Sequence, residues 1–323
     1  MNNNILHTTI PLKLINLLAD GKFHSIEQFN MLLGVNNACI KKYIKIVRNW
    51  GVDIFTMPGK GYRLYAPLQL LDENIIRKLL PEGRLTVLPV IDSTNQYLIE
   101  HIGSIQTGDA CVAEYQAQGR GRRGRQWISP FGNNLYLSLY WRFEKGLESS
   151  GGISLMVGIV MAEVLKRFGA EKVQVKWPND LYLNNRKLAG ILVEIFGKVD
   201  NTTHIVIGAG INLAMRESTV GKIDQEWINL KESGVTIDRN VLAAELTSTL
   251  RQAFLQFERN GFSPFFSRWQ ALDNFLNRPV KLLVAEQEIK GIARGIDAQG
   301  ALILEQEGKL HAYFDGNISL RNQ

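Results

Sequence analysis

Several residue types and patterns are scarce in this chain of 323 residues, and each absence excludes a class of protein. The two cysteines, Cys39 and Cys111, are far apart and outside any CxxC or Cys/His spacing. A disulfide scaffold and a zinc site are therefore not expected. No apolar run reaches the ~20 residues that cross a bilayer, and the first residues lack the basic region and cleavage site of a secretory signal. These absences predict a cytoplasmic protein without membrane association.

The signatures of several common enzymes are also missing. The sequence contains no GxxxxGKS/T phosphate loop, no HExxH zinc motif and no GxSxG nucleophile motif. The histidines are scattered along the chain, at His7, His24, His101, His204 and His311. This scatter disfavours a histidine metal cluster and catalysis by a histidine base, and we predict no metal site built from a dedicated cluster of side chains.

What the chain contains is enough apolar material for folded cores and an uneven distribution of charge. Hydrophobic residues make up 45% and charged residues 21%, which excludes a mostly disordered protein, and the length predicts two or three domains. Of the net charge of +6, residues 1–66 carry +5, from eight basic and three acidic side chains. This asymmetry indicates an N-terminal module with an anionic partner, most often nucleic acid.

The N-terminal module has the pattern of a winged helix-turn-helix. Leucine and isoleucine at helical spacing predict a first helix over residues 12–18. Ser25 followed by Gln28 is a capping-box signature for a second helix, and a third is predicted over residues 37–50. Apolar runs within residues 52–64 flank a Pro-Gly turn and predict a β-hairpin, which would be the wing.

The third predicted helix has one apolar and one basic face. In a winged helix-turn-helix this helix enters the major groove, and the wing can reach a neighbouring phosphate. The candidate DNA contacts lie at the start of the helix, on its basic face and in the wing: Asn36, Asn37, Lys41, Lys42, Lys45 and Lys60. A merely solvated basic face is the alternative, which the helix order, the hairpin and the local charge disfavour. One module per chain predicts a dimer on a two-fold-related site.

The rest of the chain predicts an α+β multidomain protein. Six apolar strands are predicted at 85–90, 110–115, 135–143, 173–176, 188–196 and 204–213, and two helices at 153–168 and 240–259. They indicate a central domain of layered helices and sheet. From about residue 275, short apolar runs alternate with turns, as in a small β-barrel. The predicted domains are residues 1–66, 67–274 and 275–323.

A glycine–arginine loop, residues 119–125, follows the second predicted strand. Its glycines match the GxGxxG dinucleotide fingerprint, but Pro130 and Gly132 break the helix that the fingerprint needs. Four arginines among glycines instead predict a mobile cationic loop for a polyanion such as a nucleotide phosphate. A surface loop that binds nucleic acid without specificity is the alternative.

Three further motifs lie at the ends of predicted strands. They are Lys-Trp-Pro-Asn-Asp at 176–180, Arg-Lys-Leu-Ala-Gly at 186–190 and Gly-Ala-Gly-Ile-Asn at 208–212. Strand ends collect ligands in layered folds, and the small residues of the last motif would leave room for a ligand against the backbone. Taken together, the motifs predict cationic groups that converge on an anionic ligand.

Together with Ser-Thr-Asn at 93–95, these motifs, in this order behind a winged helix, resemble those of the bifunctional biotin–protein ligases that repress the biotin operon. The resemblance implies a biotin/lipoate-ligase catalytic fold followed by an SH3-like barrel. It implies that MgATP and biotin give biotinyl-5′-adenylate, and that biotin is then transferred to a lysine of the biotin carboxyl carrier protein of acetyl-CoA carboxylase. It also implies that the adenylate is a corepressor, which favours a homodimer on operator DNA.

The resemblance also assigns roles to individual residues. The implied biotin contacts are Ser93, Thr94, Asn95, Gln116, Arg120, Gly121, Arg122, Lys187 and Gly208. The implied nucleotide contacts are Arg120, Arg122, Arg125, Lys176, Asn179, Asn212 and Trp227, the last within a loop over residues 215–234. Arg122, Lys187 and Lys176 are the implied catalytic residues, which would act by positioning and charge neutralisation.

Two other functions remain open at this point. The chain could be a transcription regulator whose central domain senses a metabolite without chemistry. It could also be a lipoate–protein ligase, which shares the catalytic fold. The lipoyl substrate is longer and lacks a ureido group, and the motifs at 119–125 and 176–180 favour biotin.

Overall fold

Three helices and a hairpin form the N-terminal part of the fold. The computed structural model describes residues 3–80, 82–144, 151–199, 202–216, 223, 225–284, 287–314 and 318–322. The helices are α1 (Asn3–Leu18), α2 (Ile26–Leu33) and α3 (Asn37–Asn49), and the hairpin strands are β1 (Ile54–Met57) and β2 (Gly61–Leu64). The predicted second and third helices and the hairpin are confirmed. Helix α1 begins earlier than predicted because only its second half carries the apolar stripe.

Local capping explains where these helices begin. Ser25 Oγ accepts a hydrogen bond from the Gln28 N–H, and the Gln28 side chain accepts one from the Ser25 N–H. The predicted capping box is therefore confirmed. Asn36 caps α3 by accepting a hydrogen bond from the Cys39 N–H at 2.9 Å. Both caps satisfy N–H groups that have no partner within their helix.

A seven-stranded mixed sheet forms the centre of the chain. Its strands are β3 (Leu85–Ile91), β4 (Ala110–Gln116), β5 (Asn134–Phe143), β6 (Val173–Lys176), β7 (Asp180–Leu183), β8 (Arg186–Val199) and β9 (Thr202–Asn212). Their order is β3–β4–β5–β9–β8–β7–β6, in which β3 and β4 are parallel and every other pair is antiparallel. The six predicted strands are confirmed, and β7 was not predicted.

Helices cover both faces of this sheet. They are α4 (Glu73–Leu79), α5 (Thr94–Glu100), α6 (Gly151–Arg167), α7 (Arg239–Asn260) and α8 (Ser263–Leu272). Residues of α4, α6, α7 and α8 share one buried cluster with one sheet face, whereas α5 packs on the other face around Cys111 and Tyr140. The two predicted helices are confirmed as α6 and α7. None of the helices in the residues given above is both long and apolar enough to span a bilayer.

A five-stranded antiparallel sheet follows. Its strands are β10 (Pro279–Val284), β11 (Gln287–Ile296), β12 (Leu302–Gln306), β13 (Lys309–Tyr313) and β14 (Ile318–Asn322), in the order β13–β12–β11–β10–β14. A turn joins β11 to β12, in which the Gly300 N–H donates to the Asp297 carbonyl at 3.0 Å. Leu282, Leu304 and Leu320 belong to the same buried cluster as the central sheet. This packing brings β14 to the edge of the central sheet.

The N-terminal helices also contact the central region. Phe131 stacks on Trp50, with ring centroids 5.9 Å apart, and its N–H donates to the Trp50 carbonyl at 2.8 Å. Arg216 forms an ion pair with Asp53 at 2.6 Å, and its guanidinium lies 3.6 Å from the centroid of the Tyr65 ring. The segments after the glycine–arginine loop and after β9 are thus attached to the N-terminal module.

Candidate active site

A cavity of about 570 Å³ opens at one end of the central sheet. Every residue that the sequence predicts for biotin or the nucleotide lines this cavity: Ser93, Thr94, Asn95, Gln116, Arg120, Gly121, Arg122, Arg125, Lys176, Asn179, Lys187, Gly208, Asn212 and Trp227. The volume lies within the range of small-molecule sites, which is about 300–1,000 Å³. Residues from widely separated motifs therefore meet in one place.

The register of the sheet explains this convergence. Lys176 pairs with Asp180, Asp180 with Gly190, Gly190 with Gly210, and Gly210 with Tyr136. These pairs form one row across five strands, β6–β7–β8–β9–β5. Because strand pairing fixes the register, three motifs that are distant in sequence become neighbours.

Neutral polar side chains form one end of the cavity, which we call the polar end (Ser93, Thr94, Asn95 and Gln116), and Ser138 lies behind them in contact with Thr94 and Asn95. Thr94 donates to Gln116 Oε1 through its N–H at 2.9 Å and through its hydroxyl at 3.1 Å. Ser138 Oγ lies 2.7 Å from Thr94 Oγ1 and 2.5 Å from Asn95 Oδ1. Ser138 was not predicted, because a lone serine inside an apolar strand carries no signal of its own.

The glycines of the central strands make room for side chains of the protein. A Cβ on Gly208 would lie 2.5 Å from Asn95 Oδ1, and a Cβ on Gly210 would lie 2.4 Å from Trp127 Cε2. Gly190 meets the same indole, at 2.9 Å. The space that the sequence attributed to a ligand against the backbone is therefore used by Asn95 and Trp127, which themselves line the cavity.

The glycine–arginine loop closes on itself beside the cavity. The Gly121 N–H donates to the Arg125 carbonyl at 2.7 Å, and the Trp127 N–H donates to the Gly119 carbonyl at 2.8 Å. A single 3-10 turn, Arg122–Gly124, lies within the segment that these hydrogen bonds close. As predicted, no α-helix follows the glycines in this described stretch of chain.

Two arginines of the glycine–arginine loop contact residues from other parts of the chain. Arg120 forms an ion pair with Glu194 of β8, and the Glu194 carboxylate also accepts a hydrogen bond from Asn95 at 2.8 Å. Arg122 Nη1 donates to Asn179 Oδ1 at 3.1 Å. Glu194 was not predicted, and its contacts tie the cationic loop to the polar end.

Charged side chains form the opposite end, which we call the charged end (Lys176, Asp180, Lys187 and Arg321). Lys187 Nζ lies 2.8 Å and Lys176 Nζ 3.7 Å from the two oxygens of Asp180. Burial alone raises the pKa of Asp180, but the two lysines outweigh it and hold that pKa below its ordinary value. Burial lowers the pKa of Lys176, and Asp180 partly opposes this effect.

Arg321 and Trp127 are further lining residues that the sequence did not reveal. Arg321 comes from β14, and only the packing of the C-terminal sheet brings it here. The Trp127 ring lies under Lys187, with Nζ 5.6 Å from the centroid. An aromatic residue two positions after the cationic loop was the available signal for Trp127.

Trp227 lies beside the start of β8. The Lys187 N–H donates to the Glu226 carbonyl at 3.1 Å, and the Ile228 N–H donates to the Lys187 carbonyl at 2.9 Å. Asn212 Nδ2 donates to the Ile228 carbonyl at 3.3 Å. This part of the predicted loop over residues 215–234 is thus attached to β8, whereas its positions 217–222 and 224 lie outside the described residues.

The candidate DNA contacts lie on the N-terminal module. Lys41, Lys42 and Lys45 are exposed on α3, opposite its buried face, and Lys60 is exposed between β1 and β2. Asn36 is also exposed, although its side chain already caps α3. The side chain of Asn37 contacts Asn30 of α2. The lysines therefore form a cationic surface, while the asparagines make contacts within the module.

The chain resembles known proteins in both sequence and structure. Residues 87–212 match the model of the biotin/lipoate A/B protein ligase family, and residues 275–321 match that of the biotin protein ligase C-terminal domain. The chain is 60% identical over 315 residues to the bifunctional ligase/repressor BirA of Salmonella typhimurium, covering 98% of each chain. It is 59% identical over 314 residues to BirA of Escherichia coli, covering 97% of this chain and 98% of that relative.

A solved biotin protein ligase from Aquifex aeolicus, in complex with biotin and ATP, has a similar structure. The TM-score is 0.67 and the sequence identity is 29%. The match covers 75% of this chain and 100% of the Aquifex chain. The central and C-terminal sheets described above are thus similar to a ligase whose complex holds both small molecules.

Proposed function

The chain belongs to the biotin/lipoate A/B protein ligase family, and from this premise we propose its activities and the residues that carry them. It is a biotin–protein ligase that joins biotin to ATP and then transfers biotin to a lysine of the biotin carboxyl carrier protein. It is also a DNA-binding transcriptional repressor. The observation that carries the proposal is the convergence of every predicted biotin and nucleotide residue in one cavity.

The polar end of the cavity binds the head group of biotin. A ureido ring presents both N–H donors and a carbonyl acceptor, and Ser93, Thr94, Asn95 and Gln116 offer both kinds of group. The hydrogen bond between Thr94 and Gln116, and those of Thr94 and Asn95 with Ser138, fix these groups before the ligand arrives. A preformed polar end favours biotin over lipoate, whose ring has no ureido group to satisfy these donors and acceptors.

The charged end and the glycine–arginine loop bind the reacting groups. A biotin carboxylate that attacks the α-phosphate of ATP brings two anions together, so the barrier is largely electrostatic. Lys176, Lys187 and Arg122 supply fixed positive charge there, and Arg120 and Arg125 add to it. Asn179, Asn212 and Trp227 hold the nucleotide. The products of this step are biotinyl-5′-adenylate and pyrophosphate.

The transfer step needs no covalent bond to the enzyme. The neutral amine of the carrier lysine attacks the acyl carbon, an amide forms and AMP leaves with the electron pair of the broken acyl–phosphate bond. Lys187 stays beside the developing charge on the phosphate oxygens. Positioning and charge neutralisation are therefore the contributions of the protein.

Mg²⁺ enters this site as part of MgATP. Among the residues that the structure describes, no group of three or more histidine, cysteine, aspartate or glutamate side chains could hold a metal ion. Asp180 is the one described acidic side chain that lines the cavity, and Lys187 and Lys176 already neutralise it. This set fits an ion held mainly by phosphate oxygens, which neutralises the triphosphate when bound.

Residues 1–66 act as a winged helix-turn-helix, residues 67–274 as the catalytic domain, and residues 275–323 as an SH3-like domain. The adenylate is also the corepressor: it favours a homodimer through the central domains, which places two copies of α3 on operator DNA. The contacts of Trp50 with Phe131 and of Asp53 with Arg216 support coupling of the cavity to the module. Carrier protein competes for the dimerising surface, so ligation and repression exclude each other.

The ligase proposal is tested with purified full-length protein, biotin, MgATP and a biotin carboxyl carrier domain. We expect native mass spectrometry to detect retained biotinyl-adenylate without carrier, and a biotinylated carrier lysine when carrier is added. Parallel reactions with lipoate, and without ATP, are the controls. A carrier that stays unmodified would overturn the proposal in favour of a metabolite-sensing regulator, and preferential transfer of lipoate would reassign the substrate.

The repressor proposal is tested by fluorescence anisotropy on DNA from the regulatory region of a biotin operon. We expect biotinyl-adenylate to tighten binding. Replacement of Lys41, Lys42 and Lys45 by alanine is expected to weaken binding and to reduce the slope of log K against log salt by about 5, since the dimer loses six lysines and each phosphate contact contributes about 0.9. Lys78, exposed on α4, gives the matched control in Lys78→Ala. An unchanged slope would exclude α3 from the DNA interface.

A further inference from the structure

Tyr182 is a buried residue beside the charged end to which neither the motifs nor the proposed function gives a role. It lies on β7, two residues after Asp180 and therefore on the same face of the strand. Only 9% of its surface is exposed. Its ring packs edge-on against Phe275, with centroids 6.1 Å apart and an interplanar angle of 75°. This packing gives its hydroxyl a defined position.

The hydroxyl of Tyr182 accepts a hydrogen bond from Lys176 Nζ at 2.9 Å. The same Nζ lies 4.8 Å from the centroid of the Tyr182 ring and 3.7 Å from Asp180 Oδ2. Of the two oxygens that Lys176 approaches in these contacts, only that of Tyr182 is within normal hydrogen-bond distance. Tyr182 therefore contacts the ammonium through both its ring and its oxygen.

The surroundings of Lys176 make this acceptor important. Lys176 is 4% exposed, and its charged neighbours are Asp180 on β7, Arg321 on β14 and Arg125 of the glycine–arginine loop. Burial lowers the pKa of Lys176, the two arginines lower it further, and Asp180 opposes them. Lys187 shares the Asp180 carboxylate at 2.8 Å.

Charged groups from several elements face Tyr182. They are Asp180, Lys187, Arg321 and Glu226. Asp180 is divided between two ammonium groups, so a neutral hydroxyl completes the shell around Lys176. A neutral acceptor stabilises the ammonium without cancelling the positive charge that a phosphate needs.

We propose that Tyr182 is a positioning residue of the ligase, whose hydroxyl holds the Lys176 ammonium in the cavity wall where it meets the α-phosphate of ATP. This inference rests on the proposed ligase function. Tyr182 itself does not touch the substrate and acts through Lys176.

Tyr182→Phe tests the inference because it keeps the ring and its packing on Phe275 and removes the oxygen. Without the acceptor, the pKa of Lys176 falls further, so the cation is lost at a lower pH. We expect single-turnover formation of biotinyl-adenylate to slow about tenfold at neutral pH. We also expect the alkaline limb of its pH profile to move toward lower pH, while biotin affinity without ATP is unchanged.

A second arm separates positioning from a structural role. If Tyr182 acts through Lys176, Tyr182→Phe causes no further loss of adenylate formation in a Lys176→Met background. Tyr140→Phe is the matched control, since Tyr140 is also buried in the central sheet and its hydroxyl lies 2.7 Å from His204 Nδ1, outside the cavity. Tyr140→Phe is expected to leave the pH profile unchanged.

The outcomes separate this inference from the proposed function. An unchanged pH profile in Tyr182→Phe, or equal losses in the two backgrounds, overturns the inference while the wild-type ligase activity stands. A lower melting temperature with an unchanged profile assigns Tyr182 a structural role and also overturns it. If the wild-type chain forms no adenylate, the proposed function and this inference fail together.

Discussion

The two ends of the cavity differ in the interactions that hold their side chains. The polar end has neutral hydrogen bonds, and the charged end has ion pairs. At the polar end, Thr94, Asn95 and Gln116 bond to each other and to Ser138, and none of these described side chains leaves a buried polar atom without a partner. At the charged end, Asp180 Oδ1 is buried without a hydrogen bond of good geometry, although Lys187 Nζ is 2.8 Å away.

This difference shows which end of the cavity needs a bound ligand to balance its charge. Neutral hydrogen bonds can be completed within the protein, so the polar end is organised before biotin binds. Lys176, Lys187 and Arg321 outnumber the single carboxylate of Asp180, so the charged end holds surplus positive charge that only an anion can balance. Changes at the charged end should therefore affect chemistry, whereas changes at the polar end should affect biotin binding.

Of the substitutions considered, Lys187→Ala should cause the largest loss of adenylate formation. Removal of one fixed cation beside the reacting phosphate is expected to slow adenylate formation about 10²–10³-fold, with a much smaller loss of biotin affinity because Lys187 contacts only the carboxylate end of biotin. Single-turnover release of pyrophosphate measures the rate, and replacement of the exposed Lys78 of α4, Lys78→Ala, is the control. A rate within twofold of wild type would remove Lys187 from the catalytic machinery.

The effect of Asp180→Asn on the free energy of unfolding tests whether Asp180 is ion-paired at the charged end. The folded-state pKa of Asp180 is lowered, so its contribution to stability is present above the unfolded pKa of about 3.8 and is lost as pH falls through the folded value. We expect the substitution to cost about 3 kcal/mol near pH 7 and progressively less below pH 3.8. Urea unfolding of both proteins across this range measures the difference. A difference that grows with acidity would contradict the assignment.

Gly208→Ala should break the polar end. Its Cβ would lie 2.5 Å from Asn95 Oδ1, so the Asn95 side chain must move. We expect biotin affinity to fall about 10–100-fold, as when a buried polar group loses its partner, with ATP affinity unchanged. Isothermal titration measures both ligands. Gly158→Ala on α6 is the matched control because its Cβ would have no neighbour closer than 3.5 Å; equal losses in both variants would refute the account.

Ser138→Ala should have the smallest effect of these substitutions, and it tests whether a change behind the polar end alters biotin affinity without altering the reaction rate. It removes a single neutral hydroxyl that lies 2.7 Å from Thr94 Oγ1, so biotin affinity is expected to fall about 5–10-fold. The rate of adenylate formation at saturating biotin should stay the same. Thr203→Val serves as the control, since the buried Thr203 hydroxyl has no hydrogen-bond partner among the residues that the structure describes. A slower rate at saturation would mean that the two ends are coupled.

Short motifs made most of the cavity predictable. Lys176 and Asn212 end their strands and Lys187 lies at the start of β8, so polar residues interrupt an apolar pattern and mark the ligand-facing edge of the sheet. Capping chemistry likewise fixed α2 at Ser25. Helices α4 and α5 escaped prediction because seven residues carry too little helical periodicity, and strand β7 and helix α8 were also not predicted.

Other residues of the site had no local signal. Ser138, Glu194 and Tyr182 lie inside apolar strands, and each acquires its contacts only from a neighbouring strand or helix. Arg321 lies close to the C-terminus, far in sequence from every cavity motif. Their roles depend on pairing and packing over distances of many residues, which local pattern does not record.

The amino-acid sequence by itself determined where helices are capped, where strands end, and which cationic and small polar residues stand at those ends. These features follow from local backbone chemistry and charge, which adjacent residues specify. Only the tertiary structure decided that Gly208 admits Asn95, that Asp180 is shared between two lysines, and that Tyr182 completes the surroundings of Lys176. The physical reason is that burial and partner distance set the energy of a polar group, and both exist only once the strands have paired.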